Sequence, residues 1–163
     1  MVETRGCERK DKKVKDKEFV RLLERDFKEV RFVWDSPRFS YRLKKGTPTI
    51  FLGGPQPNFG LLALHELGHA LSGHKDYTVD VERIRIESEA WEKAKTVYQN
   101  YKKQAKKDLE LAEILPEWDE DFVQDKLDTY RDWLHKKSRC PECGLTRFQD
   151  SDGYHCPRCE NLV

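Results

Sequence analysis

The chain has 163 residues, 37% of them charged and 37% hydrophobic, with a formal net charge of +1. That length suits one domain with a small appendage, and the near balance of charge argues against bulk attraction to nucleic acid, though local patches can still carry it. No segment approaches the roughly 18 consecutive apolar residues of a membrane span, and the polar, basic start has no apolar stretch of a secretory signal, so a cytoplasmic location is expected.

Residues 1–15 are rich in Arg, Lys and Asp without apolar periodicity and are expected to form a mobile basic tail, with Cys7 a spectator. From Asp16 onward, Phe19, Val20, Leu22, Leu23, Phe27 and Val30 recur at helical spacing and predict an amphipathic helix. Three strands are expected over residues 30–34, 39–43 and 47–52, separated by Asp35-Ser36-Pro37 and Lys44-Lys45-Gly46 turns, as an antiparallel meander. Gly53-Gly54-Pro55-Gln56-Pro57 then breaks the chain. Asn58 is the expected cap of a helix over residues 59–72, and Gly73 its end. A long helix is expected over roughly residues 79–115, stopped by Pro116, and a last one over about 119–137 with Phe122, Leu127, Tyr130 and Leu134 as its apolar line. The fold class is α+β.

The helix over residues 59–72 carries His65-Glu66-Leu67-Gly68-His69 between Leu61-Leu62-Ala63-Leu64 and Ala70-Leu71. Positions four apart lie one turn above each other, so His65 and His69 present two imidazoles on one face with Glu66 beside them. That pattern predicts a zinc site held by His65 and His69, with Glu66 as general base. Two histidines and a glutamate in a packed interior would otherwise each cost desolvation free energy.

A catalytic zinc takes three protein ligands, and His74, Glu87 and Glu89 are the downstream candidates. His74 follows His69 by five residues, one short of the three-histidine pattern, and is expected at the helix exit, exposed or supporting a ligand. At about 100° per residue, Ile84, Ala90, Trp91, Ala94, Val97, Tyr98, Tyr101 and Ala105 share one arc with Glu87 near its middle. Glu89 falls on the polar side with Lys93, Thr96 and Asn100. A carboxylate on an apolar face is costly unless paired or bound to a metal, so Glu87 is the expected third ligand, an ion pair with Arg83 or another arginine being the alternative.

Four of the five cysteines form Cys140-Pro141-Glu142-Cys143 and Cys156-Pro157-Arg158-Cys159. Two such pairs separated by a short loop predict a tetrahedral four-cysteine zinc site in a small ribbon, with short strands over residues 145–149 and 153–155. Two zinc ions are therefore expected, one catalytic and one structural.

The stretch from Leu64 to Leu71, taken with Glu87-Ser88-Glu89-Ala90, resembles the ImmA/IrrE-type metallopeptidases, gluzincin-like enzymes, over roughly residues 20–100. The resemblance implies a zincin-like domain, taken over residues 16–116; the apolar line and the cysteine pairs add a connecting helix over 117–137 and the ribbon over 138–163. That domain would hold a helix, a small antiparallel sheet, the histidine helix and a long glutamate-bearing helix. It also implies zinc on His65, His69 and Glu87, the glutamate opening a Glu-x-x-Ala segment, and an edge strand over residues 49–52 on which a peptide lies extended. Trp91 stands where the family has asparagine, no Leu-Met-Pro follows Ala94, and no helix-turn-helix is apparent.

The expected activity is a zinc metalloendopeptidase acting on a protein or peptide substrate, with no membrane partner. A His-Glu-x-x-His domain with a cysteine ribbon is also similar to SprT-like proteases, which act on DNA-associated proteins. That family takes a third histidine well downstream, and this chain has none between His74 and His135. A non-catalytic module is the alternative of another class. It would contact nucleic acid or a partner protein through the zinc ribbon, with Arg139, Arg147, Arg158 and the lysines at 102, 103, 106 and 107 as positive surface.

Overall fold

Apolar residues at helical spacing anchor the first element, α1 (Thr4–Asp26). Its Phe19, Val20 and Leu23 are fully buried, and each such leucine or phenylalanine contributes about 1.5–3 kcal/mol of burial free energy. The computed structural model describes the backbone of residues 4–159 and the side chains of residues 14–159. The helix begins well ahead of Asp16, within the segment expected to be a tail. Lys, Arg and Glu are good helix formers, so a charged run extends a helix whose later turns are buried. Residues 1–3 and the Cys7 side chain lie outside the described residues.

The three expected strands form as β1 (Arg31–Val33), β2 (Ser40–Lys44) and β3 (Thr47–Phe51), but not as a meander. Their order is β1-β3-β2, with β1 parallel to β3 and β2 antiparallel to it. A two-residue Lys45-Gly46 turn, both residues at positive φ, joins β2 to β3 as a hairpin. The β1–β2 connection does not reverse as a tight turn. Leu52 donates to the Val33 carbonyl at 2.8 Å and Ser36 to the Leu52 carbonyl at 2.9 Å, carrying the chain past the end of β3 to the far edge. β3 holds the centre because it has the apolar residues to be covered: Ile50 and the following Leu52 are fully buried, with the Thr49 side chain beside them. Pro48 faces Leu43 of β2, before the stretch that β1 also pairs, so its missing N–H costs no second ladder bond. The expected edge strand over residues 49–52 is therefore central, and the edges are β1 and β2.

Helix α2 (Phe59–Ser72) packs on α1, β2 and β3. Asn58 precedes it in the left-handed conformation, φ 58°, without a side-chain cap bond. Asparagine suits that position because it tolerates positive φ rather than because it caps. The next helices are α3 (Asp80–Ala105) and α4 (Leu109–Ile114), where one continuous helix was expected. The break comes at Asp108, whose carboxylate accepts from the Leu111 N–H at 3.0 Å and starts a new helix.

The chain divides into two compact units, Met1–Lys75 with Glu89–Trp118, and Asp76–Ser88 with Asp119–Val163. In the second, α5 (Glu120–Ser138) is capped by Asp119, which accepts from the Phe122 N–H at 2.8 Å. A hairpin of β4 (Phe148–Asp150) and β5 (Gly153–His155) follows. Buried Asp80 ties this unit together, accepting from Tyr154 Oη and Lys137 Nζ, each at 2.7 Å, while its N–H donates to Gln149 at 2.7 Å. Desolvation alone would raise the Asp80 carboxyl, but the bonds from Lys137 and Tyr154 and the nearby positive charges outweigh it and hold it below the ordinary carboxylate value. Burial and that same bond push the Tyr154 phenol up to about 12, so it stays a donor. Among the described residues, no helix is long and apolar enough to cross a membrane.

Candidate metal centres

Helix α2 is apolar on every side, and all residues from Phe59 to Ala70 are buried, including His65, Glu66 and His69. Such a helix needs neighbours all round, and Gly68 lets one come very close. A methyl group on Gly68 would lie 2.8 Å from the Ala90 carbonyl carbon of α3, and nearer still to its oxygen. The glycine is therefore set by close backbone approach, despite costing about 1 kcal/mol in helix propensity.

One turn before Ala90 in the same unbroken helix stands Glu87. Glu87, Ala90, Trp91, Ala94, Val97, Tyr98 and Tyr101 are all buried, the middle of the arc that the periodicity predicts, while Ile84 and Ala105 at its ends are half-buried. His65, His69 and Glu87 form a group whose ligand atoms lie within 4.8 Å of one another. The two imidazole Nε2 atoms are 3.2 Å apart. Two nitrogens about 2.0–2.1 Å from one tetrahedral ion would be roughly 3.3 Å apart, so the spacing fits a shared metal. Arg83 Nε stands 4.0 Å from Glu87 Oε1, longer than the roughly 2.7–2.9 Å of a charge-assisted hydrogen bond. This long ion pair is the expected alternative in part, and the Arg83 guanidinium also lies against aromatic rings, 5.0 Å from the centroids of both Tyr130 and Trp133.

Packing fixes the imidazoles. The His65 ring stacks on Trp91 at 4.3 Å, and Tyr41 of β2 lies parallel to the His69 ring at 6.0 Å. Burial raises the Tyr41 phenol above its ordinary value, so it is neutral near pH 7. These residues can hold a metal ion. No family model matches the chain, and no curated protein or solved structure matches it either. The reading of the centre therefore rests on its own geometry.

Two residues at the end of α2 were expected as its stop, Gly73, and as an exposed or ligand-supporting histidine, His74. Gly73 is left-handed, φ 64°, with its N–H on the Ala70 carbonyl and the His74 N–H on that of His69, each at 3.2 Å. This paired closure turns the chain back over its last turn and places His74 beside His69, the second of its two expected positions. His74 is buried, its Nδ1 2.9 Å from His69 Nδ1 and its Nε2 3.1 Å from Glu89 Oε2. The available signal was the Gly-His step directly after the apolar run.

The second centre is the cysteine cluster. Cys140, Cys143, Cys156 and Cys159 have sulfurs within 4.8 Å of one another. Cys143 and Cys156 Sγ are 3.5 Å apart, far beyond a disulfide at about 2.05 Å and near the roughly 3.8 Å edge of a tetrahedron with 2.3 Å metal–sulfur bonds. Backbone N–H groups of Arg158 and Cys159 point at Cys156 and draw its thiol down to about 6. Cys159, hydrogen-bonded to Cys143 and desolvated, is pushed up to about 12. A cluster that stabilises a thiolate without metal is prepared for a cation. The β4 strand starts at Phe148 rather than at 145, with only an isolated Arg139–Thr146 bridge before it.

Proposed function

We propose that this chain is a zinc-dependent metallopeptidase that hydrolyses a peptide bond in a protein substrate. The observation that carries the proposal is the convergence of two buried imidazoles, one turn apart on α2, with the buried carboxylate of Glu87 from α3. Two imidazoles and a carboxylate are a donor set of catalytic zinc, with His65, His69 and Glu87 as its holders. When bound, zinc polarises a carbonyl and lowers the pKa of a water.

The chain's own residues do the rest. Glu66, buried and next to His65, takes a proton from the attacking water and hands it to the leaving amine. Glu87 offsets part of the metal's charge, which makes holding a dication in a buried place affordable. The outer edge of β2 is the docking line we assign to an extended peptide: β2 pairs only with β3 among the described strands, and its Tyr41 lies on His69. The four cysteines hold a second, structural zinc that closes the ribbon.

The test is a randomised peptide library incubated with the zinc-loaded full chain, its products read by mass spectrometry. Cleavage that stops on chelation and returns with zinc is expected. An intact library alongside protein shown to carry zinc on these ligands would refute the peptidase reading.

A further inference from the structure

With His74 neutral, the contacts between His69, His74 and Glu89 run in one direction. Glu89 Oε2 lies 3.1 Å from His74 Nε2, and a carboxylate only accepts, so that nitrogen carries the proton. In its neutral form His74 presents a lone pair at Nδ1, 2.9 Å from His69 Nδ1, which then donates to it; as an imidazolium His74 would itself donate there and leave His69 Nε2 protonated, the form that cannot bind a metal. With its proton at Nδ1, His69 has its lone pair at Nε2, the atom 3.2 Å from His65 Nε2. Each link fixes the tautomer of the next. The reverse arrangement would set the His74 Nε2 lone pair against the Glu89 carboxylate.

We propose that Glu89 and His74 are positioning residues, a hydrogen-bonded relay that commits His69 to binding metal through Nε2 and holds its ring in place. The inference rests on the metal reading of His65, His69 and Glu87. Glu89 is thereby more than a charge on the polar side of α3. Its side chain is 42% exposed while that of His74 is 8% exposed, so the relay runs from solvent to the buried ligand. Carboxylate–histidine partners of this kind typically change metal affinity by about 10–100-fold when removed.

The experiment measures zinc affinity by chelator competition on the full chain, beside thermal unfolding of the zinc-free protein. His65→Ala is the control, expected to abolish the weaker zinc equivalent. If it leaves both equivalents bound, the metal reading fails before the relay is in question. Where the control holds, His74→Ala should weaken that equivalent by about 10–100-fold and Glu89→Ala by about 3–10-fold, neither shifting the unfolding of the zinc-free protein appreciably. Because Glu89 acts through His74, the double variant should be no weaker than His74→Ala alone, and Glu89→Asp should recover most of the affinity. Affinities within twofold of the parent, additive losses in the double variant, or losses matched by destabilised zinc-free protein would each overturn the relay. If His74→Ala does not fold, Glu89→Ala and Glu89→Asp decide the matter by the same thresholds.

Discussion

Gly68→Ala is expected to destabilise the chain by at least about 2 kcal/mol and to loosen the zinc of the histidine site with it. The added methyl would meet the Ala90 carbonyl, its carbon at 2.8 Å, and backbone within a helix cannot step aside as a flexible side-chain end does. Relief requires moving α3 away from α2, which draws Glu87, one turn before Ala90, away from His65 and His69. Helix propensity pulls the other way, favouring alanine by about 1 kcal/mol, so the two effects predict opposite signs. Urea unfolding of the zinc-free protein reads the first term, and zinc competition reads the second. A Gly68→Ala protein stabilised by about 1 kcal/mol would show that the close approach does not constrain the helix pair.

Glu66→Gln separates holding the metal from using it. Glutamine matches glutamate in size but cannot take up a proton at neutral pH, so zinc on His65, His69 and Glu87 should be retained within a few-fold in affinity. Peptide hydrolysis should fall by about 10²–10⁴-fold, the usual contribution of a positioned general base. The same variant should bind substrate without releasing product, and serve to capture it. Zinc content and turnover are measured on one preparation; turnover near the parent level would remove Glu66 from the mechanism.

The centre was legible where periodicity and ligand chemistry coincide. His65 and His69 are one helical turn apart, and Glu87 is the carboxylate that cannot sit on the buried arc of α3 without a reason; both facts are visible in the order of residues. The ends of α2 at Phe59 and Ser72 follow from the apolar run and the Gly73 stop. Strand order was not legible, because the parallel pairing of β1 with β3 depends on where the segment after Val33 crosses, and a turn signal such as Asp35-Ser36-Pro37 does not say which way the chain leaves. The break between α3 and α4 was missed because helix formers run through it, and only the Asp108 cap marks it. The sequence left His74 as either exposed or supporting a ligand for a third reason: the αL glycine that folds it back onto His69 is a consequence of backbone geometry that helical spacing does not encode. Gly68 has the same origin, since nothing within α2 announces how near another backbone will come.

The central claim, that His65, His69 and Glu87 jointly grip an ion distinct from the one in the cysteine cluster, is tested most directly by counting zinc under graded chelation in the parent chain and in Glu87→Ala. The account predicts two equivalents in the parent, one stripped by mild chelator and one resistant, with Glu87→Ala lacking only the first. A single equivalent in the parent, or a Glu87→Ala protein that keeps both with unchanged affinity, would contradict it.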